Sequence, residues 1–315
     1  MKILQFRNGD EMHAIGLGTW KANGKELKKA VKDAIYAGYR HIDTATNYEN
    51  EETIGEALAE IFAEGKIFRE DIFITSKLWN DSHGEGQVIP AIEESLKKLR
   101  LNYLDLYLIH WPVAFRYGVK FPKTPDDYLS PEEAPLSETW KQMEKALELG
   151  LTKHIGVSNF SIKKLQNLID KCNVIPEMNQ VEMHPLLPQN ELLDFCRENE
   201  ILMTAYSPLG SGDRAKSMKA GDEPNMLDLD VIKNIAKKHN ALPAQILISW
   251  HTNRGCAAIP KSVTKEHILS NFQAADVELD ENDMKAISEI KERYRYITGK
   301  FFEEPSKGYT NLYDL

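Results

Sequence analysis

The sequence predicts an α/β chain folded as one closed (β/α)8 barrel of the TIM type, and three observations carry that expectation. Short apolar runs alternate with helix-period segments, eight such runs occur, and no linker or shift of composition divides the 315 residues. In order the runs are AIGLGTW, HIDTA, IFITSKLW, YLDLYLIHW, HIGVSNF, MNQVEMH, LMTAYSPL and CAAIPKS. Each suits a strand covered on both faces, as a parallel sheet wrapped by helices requires. An open doubly wound sheet is the second architecture that the alternation allows. One domain spanning residues 1–315 is expected.

Ahead of the first run, KILQF and EMHAI flank Asn8-Gly9, a pair that favours a tight hairpin turn. Such a hairpin is placed to plug the N-terminal end of the barrel. Between runs, KELKKAVKDAIYAG sets Leu27, Ala30, Val31, Ala34 and Ile35 at intervals of three and four, and Gly38 stops the helix. SIKKLQNLIDKC begins after a Ser161 cap, with Leu165, Leu168 and Ile169 on one face. LDVIKNIAKKHN and DENDMKAISEIKERY follow the same rule.

Three stretches are too long for simple connections. Residues 112–138 hold five prolines, and residues 208–228 are rich in Gly, Ser and Asp. The tail 294–315 carries Tyr294, Tyr296, Phe301, Phe302, Tyr309 and Tyr313. Long loops in compact domains are usually functional or disordered. The first two leave strand C-termini, the face on which barrel active sites form, so an aromatic, sugar-sized cleft is expected there.

A net charge of -9 leaves no basic surplus to neutralise phosphates, which argues against nucleic acid or an acidic membrane as partner. The pairs Lys28-Lys29, Lys97-Lys98, Lys163-Lys164 and Lys237-Lys238 belong on solvated outer faces. Cys172, Cys196 and Cys256 stand in no C-x-x-C spacing, suit a reducing compartment and read as small buried hydrophobes. The opening MKILQFRNGDEM has no secretory pattern, and no apolar run approaches the roughly 20 residues of a membrane span. A soluble, cytoplasmic protein is expected, monomeric by default.

Asp43 in HIDTATNY, Lys77 in FITSKLW and His110 in YLIHWP stand at the C-terminal ends of successive runs, with Tyr48 five residues past Asp43. One polar group at a strand end is usually structural. Several at the same end are informative. Together they fit proton donation to a carbonyl as hydride arrives. A tyrosine of ordinary pKa, about 10, is a poor acid at neutral pH. The Lys77 ammonium is expected to lower that pKa and make Tyr48 a competent donor. Asp43 would hold Lys77 charged and in place. Neutral His110 would orient the carbonyl oxygen.

The chain resembles the aldo-keto reductases, aldose and aldehyde reductases among them. GLGTW (16–20), HIDTATNYENEETIGEAL (41–58), the run ending at Lys77, LIHWP (108–112), IGVSNF (155–160), NQVEMHP (179–185), YSPLG (206–210) and IPKSVTKEHILSNF (259–272) carry the resemblance in order along almost the whole chain. It implies a catalytic tetrad of Asp43, Tyr48, Lys77 and His110, with Tyr48 as acid, and a nicotinamide extended across the barrel mouth. Gly18, Thr19 and Trp20 would join the cofactor site. Ser158, Asn159 and Gln180 would hold the carboxamide, Tyr206 would stack on the nicotinamide, and Ser207, Leu209 and Ser211 would line the pyrophosphate. Lys261, Ser262, Val263, Thr264, His267 and Asn271 would meet the adenosine end, where Lys261 and the helix start near Lys265 form an anion site.

One departure bears on cofactor choice. Relatives that prefer NADPH commonly place Arg where this chain has His267, and many carry an acidic residue where it has Ser270. Neutral His267 lacks the bidentate fork of Arg. NADPH is expected to bind through Lys261, with NADH also admitted. Trp20, Trp79 and Trp111 follow three strands at one mouth and are expected to wall an apolar substrate site.

Other readings carry less. Gly210-x-Gly212-x-x-Ala215 mimics a dinucleotide fingerprint, but KSMKAGDEPN is broken by Gly and Pro and offers no helix. A metal-dependent barrel hydrolase would draw on His41, Asp43, His110 and His184, yet a charged Lys77 opposes a divalent cation and no His-x-His pair exists. No metal is expected. A silent nicotinamide-binding subunit would keep the fold without turnover. Aldoses and other small aldehydes are the favoured substrates, and Lys123, Asp126 and Asp127 either meet sugar hydroxyls or form solvated loop surface.

Overall fold

The computed structural model describes residues 1–215 and 219–314. Residues 216–218, within the Gly/Pro-broken stretch KSMKAGDEPN, and Leu315 at the end of the aromatic tail lie outside the described residues. The chain opens with antiparallel β1 (Ile3–Gln5) and β2 (Glu11–His13), turned at Gly9 with φ of +93°. Strands β3 (Leu17–Gly18), β4 (His41–Asp43), β5 (Phe73–Leu78) and β6 (Leu104–Ile109) follow. The long loop after β6 folds into an antiparallel pair, β7 (Ala114–Phe115) and β8 (Tyr128–Leu129). Strands then resume with β9 (Thr152–Ser158), β10 (Met178–Glu182), β11 (Leu202–Tyr206) and β12 (Ala257–Ala258).

Eight of these strands, β3–β6 and β9–β12, pair in parallel in sequence order as one curled sheet. Its edges meet. The Gly16 amide donates to Ala258 O at 2.9 Å, Ala258 N to Ala14 O at 2.8 Å, and Gly18 N to Pro260 O at 3.2 Å. The seam excludes the open doubly wound alternative. Gly18 has no side chain for a physical reason: a Cβ there would stand 2.5 Å from the Ile259 carbonyl oxygen across the seam.

Helices α1 (Gly24–Ala37), α2 (Glu51–Ala63), α3 (Val88–Leu99), α4 (Leu136–Glu148), α5 (Ile162–Ile169), α6 (Asn190–Glu198), α7 (Asp230–Lys238), α8 (Pro243–Asn253), α9 (Lys265–Gln273) and α10 (Glu281–Ser288) cover the sheet. The five apolar positions expected of α1 are its five buried residues, and Gly38 ends it at φ +110°. Ser161 caps α5 by accepting from Lys164 N at 3.2 Å. The hairpin closes the barrel floor: Leu4, Phe6, Met12 and Ala14 pack with the inward side chains Phe73, Leu106, Leu108, Met178 and Ala257. No helix among the described residues is long and apolar enough to cross a membrane.

Candidate active site

Parallel strands present every second side chain to the barrel interior. That places Asp43 at the end of β4 and Lys77 near the end of β5 in the same space, and the backbone turn after β4 carries Tyr48 over them. Lys77 Nζ donates to Asp43 Oδ1 at 2.5 Å and to the Thr44 carbonyl at 2.8 Å, and lies 3.5 Å from Tyr48 Oη. The pair is 0% and 2% exposed, so the ion pair is fully shielded from water. His110, just past β6, meets the Tyr48 ring edge-on at 5.7 Å and the Trp79 ring at 5.2 Å. The four residues expected to act together are one cluster.

Electrostatics alter one expectation. Burial among the walls of the mouth, and then the Asp43 charge, hold the Tyr48 phenol well above the usual tyrosine range. Lys77 Nζ, closer to Asp43 at 2.5 Å than to the phenol oxygen at 3.5 Å, does not outweigh burial and the Asp43 charge, and burial lowers the pKa of Lys77 itself. Tyr48 therefore stands as a neutral phenol with its proton in place. Burial, and next the Lys77 charge, drive His110 well below the ordinary histidine value, which leaves it a neutral imidazole.

Gln180 was expected to face a carboxamide, yet its Nε2 donates to Asp43 Oδ2 at 2.7 Å and buttresses the carboxylate opposite Lys77. Ser158 Oγ donates to Gln180 O at 2.8 Å, Asn159 Nδ2 to His110 O at 2.9 Å, and Tyr206 Oη to Asn159 Oδ1 at 2.7 Å. The three strand ends are thus one hydrogen-bonded shelf. Thr19 is fully buried, and its hydroxyl donates to Asp43 O at 2.9 Å. Gly18 lies beside it at the seam.

Around the rim, Ser207 and Ser211 share a hydrogen bond of 2.7 Å, Leu209 packs on the main core, and Lys261 reaches Asp213 at 2.6 Å. Asp213 also pairs with Lys21 at 2.7 Å, so one carboxylate straps the loop after β11 across the mouth to both sides of the seam. Ser262, Val263 and Thr264 lead into α9, whose first turn exposes His267, while Asn271 is buried. After Gly210 and Gly212, Arg214 turns back to Tyr296 O and Glu223.

Trp79 and Trp111 belong to one apolar cluster with Phe115, Tyr128, Phe302 and Tyr309, and Trp20 and Tyr206 pack against it. The proline-rich loop and the tail therefore form a common wall. Asp127 accepts from Lys123 N and Thr124 N at 2.7 and 2.9 Å, closing its own turn, and Lys123 and Asp126 are exposed. Those residues read as loop architecture.

Two groups escaped the sequence reading. Glu182, 0% exposed, accepts from Tyr296 N at 2.6 Å, Ile297 N at 2.8 Å and the His184 ring at 2.9 Å, fastening the tail to β10. Asn50 bonds Thr44, Thr19 and Ala22 at 2.8–3.0 Å and fixes the turn that carries Tyr48. The alternation Gln180, Glu182, His184 put all three on one face of the strand, which was the available signal for Glu182. The residues of the metal reading are dispersed: His41 turns to His13 O, and His184 to Glu182.

Buried neutral histidines set the acid response. Burial lowers His41 to about 4 and His83 to about 3, against roughly 6.5 in an unfolded chain. Below 6.5 the unfolded state binds protons that the folded state refuses. This contribution to stability is thus complete above that pH and is lost as pH falls toward 4. Each group costs about 1.4 kcal/mol per pH unit in that window. Urea unfolding midpoints are expected to fall steadily from pH 6.5 to 5, and a flat profile would contradict neutral burial.

The Aldo/keto reductase family pattern matches residues 14–292. An aldo/keto reductase of Synechocystis sp. (strain ATCC 27184 / PCC 6803 / Kazusa) is 46% identical over 316 residues, covering 100% of this chain and 97% of its own. The aldo-keto reductase family 1 member A1 of Gallus gallus is 46% identical over 292 residues, covering 92% and 89%. The solved structure of the aldose reductase from Schistosoma japonicum superposes with a TM-score of 0.89 at 38% identity, covering 99% and 98%. The chain belongs to the aldo-keto reductase family. Members of the family act on carbonyl groups with a nicotinamide cofactor. The donor set of this aldo-keto reductase fits such a group. An amide-bearing shelf at Ser158, Asn159 and Gln180 lies beside the aromatic Tyr206, and paired cations at Lys21 and Lys261 flank the strap.

Proposed function

We propose that this aldo-keto reductase reduces aldehydes, aldoses and other small aldehydes foremost, to alcohols, with Tyr48 as proton donor. NADPH is the preferred hydride source, with NADH admitted. The observation that carries the reading is Lys77 Nζ set between Asp43 at 2.5 Å and Tyr48 at 3.5 Å beside a neutral His110.

A reduced nicotinamide, when bound, supplies the hydride to the carbonyl carbon. His110 orients the carbonyl oxygen by hydrogen bonding. As negative charge grows on that oxygen, Tyr48 Oη gives up its proton to it. The raised pKa of the free phenol is no obstacle, because a developing alkoxide is a far stronger base than a phenolate. Lys77 then stabilises the phenolate left behind, and Asp43, braced by Gln180, keeps Lys77 in position. Ser158, Asn159 and Gln180 hold the carboxamide, Tyr206 supports the ring, and Ser207, Leu209 and Ser211 lie along the phosphates. Lys261 to Thr264, His267 and Asn271 receive the adenosine end, while Trp20, Trp79 and Trp111 wall the substrate. All 315 residues act as one domain.

The test is aldehyde-dependent oxidation of NADPH and NADH across a panel from glyceraldehyde through pentoses to aromatic aldehydes. Turnover supports the reading. Tight cofactor binding without turnover favours a silent binding subunit, and no cofactor binding removes the reading altogether.

Two further results are expected. Asp213→Ala opens the strap and speeds cofactor release about fivefold to thirtyfold in stopped-flow fluorescence, from roughly 1–2 kcal/mol for two half-exposed ion pairs. Unchanged release would show that the strap does not gate the cofactor. His267→Arg raises NADPH over NADH selectivity by about tenfold, because Arg adds a bidentate grip on a 2′-phosphate that His267 lacks. Paired binding titrations in which the ratio stays put would place 2′-phosphate recognition elsewhere.

A further inference from the structure

A cleft of about 500 Å³ opens on the outer flank of the barrel, bounded by the first turn of α4, helix α5 and the C-terminal tail. His83 forms part of its lining and is 1% exposed. Neither ring nitrogen of His83 has a hydrogen-bond partner among the described residues, although its carbonyl accepts from Thr139 Oγ1 at 3.0 Å. A neutral imidazole offers one donor and one acceptor, and leaving both unmade in the interior is costly.

The first turn of α4 faces the same space. Pro135 stands at its N-cap with no side-chain cap, and Glu138 N and Thr139 N return to the Pro135 carbonyl at 2.9 and 3.1 Å. Leu136 N and Ser137 N, both on lining residues, find no acceptor among the described residues. This helix is 13 residues long, so its N-terminus carries a full positive dipole end.

Charge on the opposite wall agrees. Lys163, Lys164 and Lys171 all line the cleft. Its one acidic side chain, Asp314, is already held by Lys164 and Ser161 at 2.5 Å each, with Lys163 at 3.9 Å. Lys171 has no carboxylate partner among the described residues. A cationic pocket in a chain of net charge -9 is a local exception. Between these polar ends Pro131, Ala134, Leu168 and Leu312 supply apolar wall, with Asn167 and Thr310 beside them.

We propose that this cleft is a binding site for a small organic carboxylate, its head at the N-terminus of α4 and its hydrocarbon body along the apolar wall. Lys163, no nearer than 3.9 Å to Asp314, Lys171, with no carboxylate partner among the described residues, and one helix terminus suit a monoanion with an apolar body better than a free phosphate. The tail forms one wall, and Tyr309 there also accepts from Ala114 N at 3.0 Å and donates to Leu129 O at 2.8 Å. An occupant would brace the tail against the β7–β8 pair, on the reverse side of the substrate wall.

The experiment is calorimetric titration of the full chain with 2-naphthoate, with 2-naphthol and inorganic phosphate as separate probes. Saturable binding of 2-naphthoate is expected, weakened at least about tenfold in Ser137→Glu and in the Lys163→Ala/Lys171→Ala pair. Ser137→Glu supplies a tethered carboxylate to the helix terminus, a stabilising placement, and its thermal unfolding checks the fold. No binding overturns the proposal, as does binding that survives both variants and so belongs to the barrel mouth. Equal affinity for 2-naphthol or for inorganic phosphate overturns the choice of ligand. The readout does not depend on turnover, so its failure leaves the reductase reading untouched.

Discussion

Tyr48→Phe is expected to lower kcat for aldehyde reduction by about 10²–10⁴-fold while cofactor affinity stays within about twofold. The substitution keeps the ring and its edge contact with His110 at 5.7 Å, and removes only the hydroxyl. That hydroxyl has one neighbour in the cluster, Lys77 Nζ at 3.5 Å, so little folding energy depends on it. Stability should therefore remain close to that of the parent. Loss of kcat with KM and unfolding midpoint preserved separates a lost proton from a damaged site. Single-turnover kinetics followed by cofactor fluorescence give the answer, and a decrease of less than about fivefold would place the donor elsewhere.

Asp43→Asn is expected to cost about 3–5 kcal/mol of stability, because it strands a buried ammonium. Asp43 is 1% exposed and accepts from Lys77 on one oxygen and Gln180 on the other. Asparagine offers a single acceptor oxygen for those two donors, and its amide group faces one of them with a donor of its own. Lys77 can escape by shedding its proton, which burial already favours. The deficit should then shrink as pH rises. Asp43→Asn/Lys77→Met, which removes both charges, is expected to recover most of the loss in urea unfolding while remaining inactive. Asp43→Asn within about 1 kcal/mol of the parent would mean that the pair is not shielded as described.

The barrel and the cluster were legible because both depend on short periods. Alternation along strands put Asp43, Lys77 and the residues of the shelf at one end, and intervals of three and four marked the buried face of α1. What escaped depends on distance along the chain. Glu182 meets amides 114 and 115 residues away, and Asp213 joins lysines on both sides of the seam, so neither leaves a local pattern. The direction of the Tyr48 shift escaped for another reason. The sequence placed a cation near a phenol, but which partner that cation meets first is a matter of distance, 2.5 Å from Lys77 Nζ to Asp43 against 3.5 Å to Tyr48, together with how deeply the phenol is buried. The double use of Gln180 was hidden likewise, since its strand position is the same whichever group its amide meets.

Glu182 separates two kinds of change that the protein can tolerate. By gripping the tail at Tyr296 and Ile297, it makes everything beyond a tethered flap with its own hold on Trp111 and Phe115. On the function proposed above, exchanging flap residues is expected to shift substrate selectivity while the cluster beneath keeps its geometry.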